Sequence, residues 1–72
     1  MNNFNNYIAI LNRFYSDLAY WRYAKDTNGD DLEDKLSALQ KSAFLLLNEI
    51  KNLPPDMVRH QVVEHAKKAL AL

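Results

Sequence analysis

Apolar residues fall into three blocks separated by polar turns, and each block repeats with helical spacing. In the first block, Phe4, Ile8, Leu11, Tyr15 and Leu18 follow one another at spacings of four, three, four and three, which is the stripe of one helix face. A second row, Tyr7, Phe14 and Trp21, recurs every seven residues beside it, while Asn12, Arg13, Ser16 and Asp17 fall off the combined face. No glycine or proline interrupts the pattern, so a helix is predicted over about 4–25. The segment Asp26-Thr27-Asn28-Gly29-Asp30 follows, holding the only glycine among residues that favour turns through local hydrogen bonds. Asp30 or Asp31 suits the next N-cap, and Glu33 stands three residues after Asp30, as in a capping box.

The second block is the most regular. Leu32, Leu36, Leu39, Ala43, Leu46, Ile50 and Leu53 hold the four-three alternation for three heptads, the period of a left-handed packing seam. A helix is predicted over about 31–52 and is stopped by Leu53-Pro54-Pro55, because the residue before a proline is pushed out of the α region. Proline is well placed at a first helical position, so the third helix is expected over about 55–71, with Val58, Val62, Ala66 and Ala69 as its stripe and Val63 and Leu70 beside it. Two long helices joined by a short turn should fold back on each other. The expected fold is all-α: one domain over 1–72, an antiparallel hairpin followed by a shorter third helix.

Size changes what such a fold can do alone. A chain of 72 residues and 8.4 kDa folds to about 4,600 Å² of surface and buries only about 62% of what the unfolded chain exposes. One core of that size seldom leaves more than about 3–5 kcal/mol. With no cysteine there is no disulfide framework and no thiolate site, so a partner chain or self-association is the expected reinforcement. A formal charge of zero, from nine basic and nine acidic side chains, argues against a general nucleic-acid binder. The segment Met1–Asn6 carries no basic residue, and the apolar runs Tyr7–Leu11 and Ala43–Leu47 are far shorter than a spanning helix. No leader and no membrane span are expected, which makes a cytoplasmic protein the default.

Candidate chemistry is sparse. The acidic turn looks at first like a calcium loop, but counting from Asp26 puts Asp31 where an EF-hand needs glycine and Ser37 where it needs a bidentate glutamate. A capped turn is the better reading. His60 and His65 stand five residues apart, about 140° around a helix, and cannot grip one metal. Ser16, Ser37 and Ser42 have no histidine in a suggestive position, and one glycine cannot build a phosphate loop. Neither an enzyme nor a cofactor or metal site is expected.

The surplus apolar residues say more. On a helical wheel Tyr20 and Tyr23 lie opposite Leu11 and Leu18, Leu45 lies opposite Leu36, and Phe44 sits at the edge of the seam. A single hairpin cannot bury both sides of each helix, and aromatic residues are enriched at interface cores. The expected function is a small non-catalytic protein-binding module, adaptor-like, chaperone-like or inhibitory, with Tyr20, Trp21, Tyr23, Phe44 and Leu45 as its contact residues. A homo-oligomeric, purely structural bundle is the alternative. A nucleic-acid-associated regulator using Arg59, Lys67 and Lys68 is the weakest of the three.

Overall fold

In the computed structural model, which describes residues 3–72, α1 (Asn3–Asp26) and α2 (Leu32–Ile50) are followed by a 3-10 turn (Pro55–Met57) and α3 (His60–Leu70). Met1 and Asn2, part of the amino-terminal segment considered above, lie outside the described residues. α1 and α2 pack against each other as a hairpin, and α3 packs on α2. The seam of α2 is where its heptads place it. Leu39, Ala43 and Leu46 are fully buried, and Ile50 and Leu53 are half-buried against the same core.

On α1 the two apolar rows divide the work unequally. The row of Tyr7 and Phe14 is buried in the hairpin core, with Trp21 half-buried at its end. The row of Ile8, Leu11, Tyr15 and Leu18 is only partly buried, and Phe4 at its start is exposed. The core face of α1 is therefore rotated toward the seven-residue aromatic row. Ser42 enters the core beside Leu39 and stays satisfied, because its Oγ donates to the carbonyls of Leu39 and Ala38, one turn back, at 3.1 and 3.2 Å.

The third helix begins later than the prolines suggest. Pro54 is extended and Pro55 opens the single 3-10 turn, after which Val58 and Arg59 are again extended and the α-helix starts at His60, not at 55. Extended backbone suits the β-branched Val58. Val62, Ala66 and Ala69 then form the buried face of α3, and Leu70, expected beside them, is exposed. Two polar contacts fix α3 in place. Gln40 Nε2 on α2 donates to the carbonyls of Ala69 and Leu72 at 3.2 and 3.4 Å, joining the Leu72 amide as a donor to Ala69. The Tyr15 hydroxyl on α1 meets Nδ1 of His65 at 2.9 Å.

The molecule is elongated, 40 × 20 × 14 Å, with 5216 Å² of accessible surface against the roughly 4,600 Å² of a compact chain of this mass. Less of it is buried than size alone predicts.

Candidate functional site

The end of α1 and the start of α2 build the most aromatic exposed part of the molecule. α1 closes with a Schellman arrangement, in which the Gly29 amide donates to the Ala24 carbonyl at 2.8 Å and the Asn28 amide to Lys25 at 3.4 Å. The left-handed residue this closure needs is Asn28, with φ of 56°, and not the glycine beside it. The Thr27 hydroxyl adds a bond to the Tyr23 carbonyl at 2.8 Å. Asp31 is the N-cap of α2, yet its side chain makes no capping bond. Instead its carboxylate stands 3.6 Å from Lys35 Nζ, one turn on.

This tight closure brings Lys35 over the Tyr20 ring, with Nζ 5.5 Å from the ring centre. Between the two helices lies a groove of about 360 Å³, lined by Tyr20, Tyr23, Ala24, Thr27, Asp31 and Lys35. Tyr20 is 61% exposed and Tyr23 71%. Five acids surround this end of the hairpin: Asp26, Asp30, Asp31, Glu33 and Asp34. Of these only Asp31 has a cation within 4 Å among the described residues.

The five residues singled out from the sequence do not form one patch. Tyr20 and Tyr23 share the tip groove. Trp21 is half-buried against the core, with Lys25 Nζ 5.1 Å from its ring centre, and faces a second groove. Phe44 and Leu45 are both exposed, on different sides of α2. Leu45 stands five residues, about 140°, beyond Gln40, whereas Phe44 stands about 40° from it and so flanks α3. Tyr20 stands in the same five-residue relation to Tyr15, so Tyr20 and Leu45 both turn away from the α3 side. Docking of α3 covers the Tyr15 flank of the hairpin and leaves both surplus patches open.

The second groove, about 150 Å³, runs between α1 and α3 and is lined by Leu18, Trp21, Arg22, His65, Lys68 and Leu72 among others. Periodicity gives no sign of it, because the Tyr15–His65 bond that closes it spans fifty residues of sequence. His60 is exposed and lies 3.8 Å from Glu64. Two tyrosine hydroxyls carry raised pKa values. Burial pushes Tyr15 up, and burial helped by the neighbouring Tyr15 raises Tyr7, against a smaller opposing pull from Arg59.

No protein-family model matches this chain, and comparison with curated proteins and with solved structures returns no match. Among the described residues no group of three or more histidine, aspartate or glutamate side chains is placed to hold a metal ion, and no helix is long and apolar enough to cross a membrane.

Proposed function

We propose that this chain is a small non-catalytic protein-binding module whose main contact surface is the tyrosine-lined groove at the hairpin tip. One observation carries the reading: Tyr20 and Tyr23 stand 61% and 71% exposed in a single groove, on a helix whose other aromatic residues, Phe4 apart, are buried or half-buried. Tyrosine offers a large, rigid contact area at low entropic cost, and such residues dominate interface energetics. Trp21 packs against the core and lines the second groove, not this one. Phe44 and Leu45 belong to separate surfaces and are secondary in this reading.

The test is a pull-down from host extract with wild-type protein and with the Tyr20→Ser/Tyr23→Ser variant, each checked by circular dichroism. A protein retained by the wild type and lost by the folded variant supports the groove. Equal retention by both moves the interface to another face.

Self-assembly into a structural bundle is the second reading, favoured by the large apolar side chains exposed along the 40 Å length, among them Phe4, Phe44 and Leu72. Sedimentation over a micromolar concentration range separates the two. A lone 8.4 kDa species throughout removes the self-assembly reading and leaves the first intact.

A further inference from the structure

We infer that the groove between α1 and α3 binds a small aromatic carboxylate, its ring on an apolar floor and its anion between Arg22 and Lys68. This groove shares no lining residue with the one at the hairpin tip, so the inference is independent of the protein-binding reading. Its floor is made by Leu18 and Trp21, both half-buried, and by Ala69, which is buried. Its volume of about 150 Å³ matches an apolar cavity that accepts one benzene ring. One turn of a helix fills roughly 400 Å³, so a single ring suits the groove and a length of helix does not.

Charge decides what else the ligand carries. Arg22 on α1 and Lys68 on α3 both line the groove, and among the described residues no acidic side chain does. Each cation has an acid one turn away on its own helix, Asp26 for Arg22 and Glu64 for Lys68. Such i,i+4 pairs ordinarily close, yet neither cation has a carboxylate within 4 Å among the described residues. Glu64 stands 3.8 Å from His60 instead. Lys25 adds a third positive charge, 5.1 Å from the centre of the Trp21 ring. The wall opposite Trp21 is fixed in advance, because Nδ1 of His65, also in the lining, is engaged by the Tyr15 hydroxyl at 2.9 Å.

A ring and a carboxylate in one molecule answer both features. The Arg22 guanidinium pairs a carboxylate through two parallel bonds, with the Lys68 ammonium as a second positive contact. A neutral ring leaves both cations unpaired, and a bare anion leaves the apolar floor uncovered. Bound there, the ligand bridges α1 and α3, two helices that otherwise meet through Tyr15 and His65.

Trp21 is the only tryptophan of the chain and lies in the groove, so its emission reports occupancy directly. The whole chain is titrated with phenylacetate, whose ring does not absorb at the red edge where tryptophan is excited. Saturable binding with a dissociation constant on the order of 0.1–1 mM is expected for so small a ligand in an open groove. Acetate, which lacks the ring, and phenylacetamide, which lacks the charge, should each bind about tenfold more weakly or worse. Arg22→Gln/Lys68→Gln should weaken phenylacetate by about tenfold. Lys41→Gln/Lys67→Gln removes the same charge at exposed positions outside the groove and should change binding by less than about twofold. Amide shifts of the wild type need no variant, and should cluster around Trp21 on α1 and Lys68 on α3. A response that never saturates overturns the inference, as do shifts confined to other segments. Binding indifferent to Arg22→Gln/Lys68→Gln in the folded variant, or equally weakened by Lys41→Gln/Lys67→Gln, overturns it too. An acetylated, amidated Phe-Asp peptide that saturates the groove more tightly than phenylacetate would assign it to a protein partner and overturn the small-ligand assignment.

Discussion

The Tyr15 hydroxyl on α1 and Nδ1 of His65 on α3 lie 2.9 Å apart, with the two rings edge-on at a centroid distance of 5.8 Å. α3 is otherwise held mainly to α2, through small residues and Gln40. This pair ties the short helix to the other half of the hairpin. Tyr15→Phe keeps the ring contact and removes the bond, and should cost about 0.5–1.5 kcal/mol. Amide exchange read residue by residue should accelerate in α3 more than in α1 or α2. Unchanged protection across α3 would show the contact to be idle.

Burial separates the core from the surface more sharply than hydrophobicity does. Leu39→Ala or Leu46→Ala should each cost about 2–5 kcal/mol, because both side chains are fully buried in the hairpin seam. Phe44→Ser removes a larger apolar group, yet should cost under about 1 kcal/mol because that ring is 57% exposed. Urea unfolding of the three variants compares them directly. A loss at Phe44 as large as at Leu39 would mean that a second surface covers it in solution.

The turn reverses the usual roles of its two central residues. Asn28 carries the positive φ, so Asn28→Ala should cost about 1 kcal/mol. Gly29 has no positive φ, and a Cβ there meets the Asp31 Oδ1, the end of a mobile side chain, at 3.3 Å. Gly29→Ala should therefore be neutral or stabilise by up to about 1 kcal/mol through the unfolded chain. Thermal unfolding decides it, and the opposite order of the two variants would rule out the closure described.

Much of this architecture was legible from spacing. The α2 seam could be read because its seven-residue period admits one face, and Leu39, Ala43 and Leu46 are buried as expected. α1 has two adjacent apolar rows that satisfy helical periodicity equally well. Packing on α2 makes Phe14 central, and α3 holds Tyr15 at the side through a contact fifty residues apart in sequence. Pro55 is a sound helix opener in isolation, but Val58 and Arg59 take extended backbone before α3 begins. Tyr20 and Tyr23 were legible as outward-facing. Their separation from Phe44 and Leu45 was not, because a wheel drawn for each helix alone does not show which sides of two helices adjoin.

Alkaline pH should weaken the fold through its tyrosines. Tyr7 and Tyr15 both titrate above the ordinary tyrosine value of about 10, since burial disfavours the phenolate. A folded-state pKa above the unfolded one means that this stabilisation is fully present below about pH 10 and is lost as pH rises through the raised values. Urea midpoints at about pH 9 and pH 11 should fall less for Tyr7→Phe than for the wild type. Equal declines would show that burial of the Tyr7 hydroxyl does not drive the alkaline loss.

The most direct measurement of the tip groove as an interface is site-specific photo-crosslinking in the native host. A benzophenone amino acid replaces Tyr23 in one strain and Phe44 in another, and irradiated cells are compared for adducts. Both positions are exposed, so neither replacement should disturb the fold. A discrete adduct of one partner protein from position 23, absent or much weaker from position 44, is the expected result. An adduct from position 44 with none from position 23 would contradict the assignment of the Tyr20–Tyr23 groove as the binding surface.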